Sequence, residues 1–110
     1  MVEDLFIYKN ALELVKEVYN LTQSNKSLLK DYGLVDQIRR ASVSVVANIS
    51  EGYYQKRLQS KRYLKISSGS ANEVNTLLVI INKVYSIDVS ILKEHYLRLA
   101  KQISSYANSF

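Results

Sequence analysis

The absence of proline is the feature that most constrains the fold of this chain. It has no proline and only three glycines among 110 residues. Proline breaks helices because it lacks an amide hydrogen and clashes with the preceding turn, and glycine weakens them through backbone freedom. A chain nearly free of both can form long helices. Because 47% of its residues are apolar, residues 1–110 can build one core, and we predict a single domain.

Apolar residues recur at helical spacing in four segments, and no segment alternates like a strand. We predict helices over residues 8–23, 34–54, 60–85 and 90–108. Ser60 is the predicted N-cap of the third helix, and Ser24–Ser27 and Ser86–Val89 are predicted connections. Short connections favour antiparallel neighbours. The predicted fold class is therefore all-α, an antiparallel up-down four-helix bundle.

Two of the predicted helices carry apolar side chains outside their core faces. In the second helix these residues interrupt a polar stripe, and in the third they point away from the core. Neighbouring residues of this kind usually mark an association surface, although scattered aliphatic side chains are also normal on monomers. We predict self-association through Val43, Ala47, Val79 and Ile80.

The formal charge of +5 is concentrated in one short segment. Residues 1–55 carry six basic and seven acidic side chains, and residues 66–110 carry four and three. The ten residues between them carry five cations and no acid: Lys56, Arg57, Lys61, Arg62 and Lys65. Such a block favours an anionic partner such as a phosphate backbone. A solvated loop and first helical turn that keep the protein dispersed in water remain an equal alternative.

Two residues outside the block are further candidates for contact with a nucleic acid. Tyr54 adjoins the block, and its ring could stack on an unpaired base while cations neutralise phosphates. Tyr53 and Tyr63 are interpreted instead as capping one end of the core. Arg39 lies on a different side of the second helix from Arg40, and we predict that its guanidinium is freer than that of Arg40 to meet a phosphate.

The sequence offers no convincing catalytic constellation. There is no cysteine, and one histidine, His95, cannot build a zinc site alone. Carboxylates and amides on the second and third helices lack a nucleophile or a metal ligand beside them. We interpret them as a structural polar network in which Arg40 pairs with Glu51 or Glu73, within or between subunits. The network comprises Gln37, Arg40, Asn48, Glu51 and Glu73. We predict no enzyme activity, cofactor or metal.

Location in the cell follows from three weak signals. The lack of cysteine fits a reducing compartment, and the first residues are acidic where a signal peptide would be basic. The longest apolar run, Leu77–Ile81, is far shorter than the roughly 20 residues that a membrane span needs. We therefore expect a cytoplasmic protein with no membrane partner.

Four short segments carry a resemblance to a known family. They are Tyr32–Leu34, Gln37–Ala41, Asn48–Gly52 and Gly69–Glu73. In order and spacing, over nearly the whole chain, they resemble the bacterial four-helix-bundle proteins encoded within intervening sequences of large-subunit ribosomal RNA genes. The resemblance implies a homopentameric ring. It extends distantly to the accessory protein of diversity-generating retroelements, a pentamer that binds nucleic acid and a reverse transcriptase.

The charge block and the resemblance together predict a function. We expect a non-enzymatic, homo-oligomeric protein that binds the backbone of RNA or DNA with weak sequence preference. The alternative is a protein-interaction scaffold, in which the ring docks a nucleic-acid enzyme such as a reverse transcriptase and the block meets an acidic protein surface. A hydrolase or nuclease, whose metal-dependent cleavage would require Glu51 or Glu73, is a third, disfavoured hypothesis.

Overall fold

The computed structural model describes residues 1–110 and contains helices but no strands. A 3-10 turn at Val2–Asp4 precedes five α-helices: α1 (Phe6–Ser24), α2 (Lys26–Leu29), α3 (Tyr32–Tyr54), α4 (Arg57–Tyr85) and α5 (Ser90–Ala107). The all-α prediction is confirmed. The predicted connection at Ser24–Ser27 is partly wrong, because α1 extends to Ser24 and the single turn of α2 begins at Lys26.

Three helices begin earlier than the sequence indicates: α1 by two residues, and α3 and α4 each for a local reason. The helix α3 starts at Tyr32 because Asp31 is its N-cap, accepting a hydrogen bond from the Leu34 amide at 3.3 Å. The helix α4 starts at Arg57, so the prediction that Ser60 caps it is wrong. The Ser60 side chain is buried, and its hydroxyl donates to the Gln55 carbonyl oxygen at 2.8 Å. Most of the basic block is therefore helical.

The four long helices surround one core. The molecule measures 44 × 21 × 19 Å, and its long axis matches the 29 residues of α4 at about 1.5 Å per residue. The helix α4 packs against α3 and α5, and α1 packs against the same two helices. Only Gln55 and Lys56 join α3 to α4, so these two helices run antiparallel. None of the helices combines the length and the apolarity needed to cross a membrane.

Small side chains let α3 and α4 approach each other closely. The buried Ser67 hydroxyl donates to the Val45 carbonyl oxygen at 2.7 Å, and the hydroxyls of Ser44 and Ser70 lie 2.8 Å apart. Ala71 is fully buried between them and the core. These contacts fix the register of the pair: Ser44 on α3 lies opposite Ser70 on α4, and residues before one face residues after the other.

Candidate nucleic-acid interface

The basic block forms one corner of the molecule, where α3 ends and α4 begins. We call Lys56, Arg57, Lys61, Arg62 and Lys65 the basic corner; Lys56 immediately precedes α4, and the other four lie in its first nine residues. All are exposed except Lys61, which is half-buried. The ion pairs of the chain lie elsewhere, at Met1–Asp4, Arg40–Asp36, His95–Glu17 and Arg98–Glu94. The five cations therefore face solvent without an acidic partner.

The electrostatic setting of the basic corner is unfavourable for the fold. The first turn of α4 contains no acidic residue, and its N-cap, Lys56, makes no capping hydrogen bond through its side chain. A helix N-terminus carries the positive end of the helix dipole, which favours anions and disfavours cations. The five cations also repel one another. Cationic groups, free amides and dipole thus combine into a region of positive potential that only an external anion can neutralise.

The connection that forms the corner is tight. Gly52 lies where α3 and α4 converge, and a Cβ atom built there would meet Leu64 Cγ at 2.9 Å and the Ser60 carbonyl oxygen at 3.1 Å. Arg57 has a φ of 31°, in the left-handed region that residues with a Cβ rarely adopt. The crowded position of Gly52 and the positive φ of Arg57 therefore both lie where the cations are concentrated.

Aromatic and aliphatic side chains lie beside the cations. Tyr54, the last residue of α3, is 58% exposed, and Tyr53 packs edge-on against its ring with centroids 5.0 Å apart. Leu58 is 82% exposed on the outer side of α4. Sequence reasoning missed Leu58 because it began the helix at Ser60. Extending the helical phase back by one turn would have placed Leu58 opposite the core. Tyr53 and Tyr63 are half-buried.

Arg39 is held against α1, so the prediction that its guanidinium is freer than that of Arg40 is wrong. Its Nε and Nη2 donate to the Thr22 hydroxyl at 3.0 and 2.8 Å, and its guanidinium lies 4.3 Å from the centroid of the Tyr19 ring. Thr22 is fully buried. These contacts use Arg39 to join α1 to α3. Whether it also contacts a nucleic acid stays a prediction.

The predicted polar network does not form within the chain. Arg40 pairs with Asp36 at 2.9 Å, one turn away on the same helix, rather than with Glu51 or Glu73. Asn48 donates to the Ser44 carbonyl and hydroxyl oxygens, and Glu51 accepts from Gln55. Gln37 and Glu73 are exposed and make no side-chain hydrogen bond. Within one chain Arg40, Asn48 and Glu51 bond directly only to α3 and its C-cap, Gln55. Asn48 reaches α4 only through the Ser44 hydroxyl, which meets that of Ser70.

The four predicted association residues are all exposed, but they lie in two places. Val43 is 45%, Val79 46% and Ile80 40% exposed, and Ala47 is also exposed. Because Ser44 lies opposite Ser70, Val43 is level with the middle of α4. The pair on α4 lies nine residues further on, roughly 13 Å along the helix axis. They are therefore separate patches on neighbouring helices.

The remaining titratable side chains do not assemble a group of metal ligands. Two cavities of about 520 and 340 Å³ lie along the seam between α1 and α5, and Glu17 lines both. His95 Nδ1 lies 3.9 Å from Glu17 Oε2 beside the smaller cavity. Nowhere do three His, Cys, Asp or Glu side chains come together as metal ligands would.

The fold and the corner define a class: a small all-helical bundle protein with a concentrated, unpaired cationic surface. The family model of the 23S rRNA-intervening sequence proteins matches residues 3–109, and the chain belongs to that family. This confirms the family resemblance in the sequence.

One solved structure is similar over almost its full length. It is the crystal structure of a protein from Bacteroides thetaiotaomicron, described as having unknown function and as belonging to the S23 ribosomal protein family. The TM-score is 0.74 at 24% identity, covering 94% of this chain and 95% of that one. At this identity the likeness shows the fold alone. No curated protein matches the chain.

Proposed function

We propose that this protein is a non-enzymatic, homo-oligomeric protein that binds the backbone of RNA or DNA through the basic corner. The observation that carries the proposal is the concentration of five cations, none paired with an acid, within the connection and first turns of α4. Phosphate groups are the anions that such a surface takes, and family membership with proteins of ribosomal RNA intervening sequences supports the same class of partner.

The position of the cations favours a ligand over a role in solubility. Cations that only keep a protein dispersed in water can lie anywhere on the surface. Here Lys56 and Arg57 lie at the positive end of the longest helix, where an unfavourable charge–dipole interaction costs about 0.3–1 kcal/mol at low salt. A bound phosphate reverses the sign of these interactions. The arrangement is thus costly for the free protein and favourable for the complex.

Backbone binding predicts a steep dependence on salt. Each neutralised phosphate contributes about −0.7 to the slope of log affinity against log salt for single strands, and about −0.9 for duplexes. Five contacts give a slope of roughly −3.5 to −4.5. Weak preference for base sequence is expected, because contacts to phosphate position a strand without reading it.

The test replaces charge at the corner and, separately, at the opposite end of the molecule. One variant changes all five residues of the basic corner to Gln. The control changes three exposed lysines near the other end of α4: Lys26, Lys30 and Lys83. We expect the corner variant to lose at least about 100-fold in affinity for an oligonucleotide and most of its salt slope. The control should retain most of both.

Two outcomes would contradict the proposal. One is native protein that binds neither RNA nor DNA at moderate salt. The other is an equal loss of affinity per charge removed in the two variants, which would indicate an effect of net charge alone. Circular dichroism should show that the corner variant remains helical, and we expect it to be no less stable than the native chain.

Assembly is the second part of the proposal. We propose a homopentamer, supported by the exposed Val43, Ala47, Val79 and Ile80 and by the polar side chains of α3 that contact no other helix of their own chain. Light scattering should give a particle of five chain masses. Val43→Glu should dissociate it, whereas Ile91→Glu, at a similarly exposed aliphatic residue on α5, should not. Compact single chains in dilute solution would refute the assembly.

The scaffold alternative uses the same corner. Leu58, exposed among the cations, is a side chain that an acidic protein surface could also cover. After nuclease treatment, recovery of a protein partner by the native chain but not by the five-residue Gln variant would support this alternative. In that case binding of isolated oligonucleotides would be weak.

A further inference from the structure

The basic corner has an apolar component that phosphate binding does not explain. Leu58 is more exposed, at 82%, than any other large hydrophobic side chain of the molecule, and Tyr54 is 58% exposed nearby. Tyr53 packs edge-on against Tyr54 at an interplanar angle of 89°, which restricts its ring. A charged ligand that covers these side chains must itself carry some apolar surface.

The apolar and cationic groups are interleaved. Leu58, Lys61, Arg62 and Lys65 follow the spacing i, i+3, i+4, i+7 and so share the outer face of α4. Tyr54 precedes Lys56 by two residues at the end of α3. A strand that follows the cations along this face therefore passes over Leu58, and Tyr54 lies beside the first of these cations in the chain.

The form of the nucleic acid decides whether these apolar groups find partners. A duplex turns its charged backbone outward and keeps its base faces stacked inside, so Leu58 and Tyr54 would lie against phosphates and water. A single strand exposes its base faces, and aromatic side chains stack on them while cations track the backbone. The interleaved surface matches the alternation of phosphate and base along a single strand.

We infer that the basic corner is a site for single-stranded nucleic acid, in which one unpaired base stacks on Tyr54 and a neighbouring base packs on Leu58. The inference rests on the proposed function and adds the form of the strand. The cations supply most of the affinity and the salt dependence. The two apolar side chains supply the discrimination against duplexes.

Fluorescence anisotropy with a labelled 12-nucleotide oligothymidylate, and with the same strand paired to oligodeoxyadenylate, tests the inference. The variants are Tyr54→Ala and Leu58→Ala. Their matched controls are Tyr32→Ala, which removes an exposed tyrosine from the other end of α3, and Ile91→Ala on α5. Tyr54→Phe retains the ring and should retain the affinity.

At equal salt we expect the native protein to bind the single strand at least about tenfold more tightly than the duplex, the size of one base stacked on an aromatic ring. Tyr54→Ala should lower single-strand affinity about tenfold, and Leu58→Ala by a smaller factor. Neither should alter duplex affinity or the salt slope. The two controls should behave as the native protein does.

The outcomes separate this inference from the proposed function. Equal affinity for both forms, with no effect of Tyr54→Ala, would overturn the inference and leave backbone binding intact. Failure to bind either form would remove the proposed function as well. Tighter binding to vesicles of anionic phospholipid than to either oligonucleotide would show that a lipid surface, not a base, covers Leu58, and would also overturn the inference.

Discussion

The two ends of α4 differ in the capping hydrogen bonds and the charges found at the helix termini there. At its C-terminal end, Ser86 adopts a left-handed conformation and the Asn82 side chain donates to the Ile87 carbonyl oxygen at 2.9 Å. Asp88 accepts from the Ser90 amide and hydroxyl at 3.0 and 2.7 Å, which lowers the pKa of the carboxyl. We call this region the capped end.

The start of α3 belongs to the same end. Asp31 caps that helix and also accepts a hydrogen bond from the Tyr85 hydroxyl at 2.7 Å, so one carboxylate joins the first turn of α3 to the last turn of α4. Lys83 lies in the last turn of α4, where the helix dipole favours a cation. Asp31, Asp88 and Lys83 therefore each stabilise the helix terminus beside which they lie.

The basic corner differs in its charges. A lysine occupies the N-cap of α4, and the first turn holds a cation, Arg57, and no acid. The same chain thus supplies capping carboxylates at one end and omits them at the other. Departures from local stability that cluster in one place are expected at functional sites. The difference in capping and charge between the two ends supports the proposal that the basic corner is a ligand-binding surface.

The largest effect that would test this contrast lies at Gly52. Gly52→Ala places a Cβ atom within 2.9 Å of Leu64 Cγ and 3.1 Å of the Ser60 carbonyl oxygen, so the Leu64 side chain or the start of α4 must shift at the corner. We expect a loss of about 2 kcal/mol in the free energy of unfolding, measured by urea denaturation. Oligonucleotide affinity should also fall, because the cations on α4 shift relative to Tyr54.

Gly33 and Gly69 provide matched controls for that change. Both lie within helices, and an added Cβ atom would meet nothing within 4 Å at either position. Replacing either glycine with alanine should stabilise the protein by up to about 1 kcal/mol, since alanine favours a helix more. If Gly52→Ala behaved like these controls, the corner would not be the tight junction described above.

The next largest effect belongs to the capped end. Asp31→Ala removes both the N-cap of α3 and the partner of Tyr85. We expect unfolding free energy to fall by about 1–2 kcal/mol, with no change in oligonucleotide affinity at a temperature where the variant is folded. Thermal melting and anisotropy measure the two quantities. Reduced affinity in the folded variant would mean that the two ends are not functionally separate.

Helices were predictable from the sequence because their signal is local and periodic. Ile38, Ala41, Val45 and Ile49 recur at helical spacing, and all are buried. The start of α4 was not predictable from the same signal. Ser60 resembles a cap in sequence, yet its hydroxyl bonds to the Gln55 carbonyl oxygen across the connection. That contact exists only once α3 and α4 have packed.

Side-chain partners were predictable only where they lie on one helix. Arg40 and Asp36 are four residues apart, a spacing that brings side chains together on any helix, and this signal was available but overlooked. Arg39 instead meets Thr22, which is 17 residues away on another helix. Which residue of α1 faces Arg39 depends on helix register, and register comes from the packing of the whole core. The charge of the basic corner needed no such information, because it is concentrated in consecutive residues.

A pH titration gives a smaller effect, confined to the capped end. The hydrogen bond from Tyr85 to Asp31 raises the pKa of the Tyr85 hydroxyl above its usual value near 10. The stabilisation is therefore fully present below about pH 10 and is lost as pH rises through the raised pKa. Tyr85→Phe should be less stable than the native chain at neutral pH, and this difference should shrink in alkali. A constant difference across that range would contradict the Tyr85–Asp31 contact.

The smallest predicted effect comes from adding to the basic corner the N-cap residue that it lacks and the capped end has. Lys56→Ser places a favourable capping residue at the start of α4, and Lys56→Gln removes the same charge without a good cap. We expect the Ser variant to be more stable than the Gln variant by about 0.5–1 kcal/mol. Both should lower the magnitude of the single-strand salt slope by about 0.7. Because the cap stabilises the chain while the lost lysine weakens phosphate binding, stability and affinity should move in opposite directions at this one residue. A Ser variant that gained stability without losing salt dependence would show that Lys56 is not retained for a phosphate.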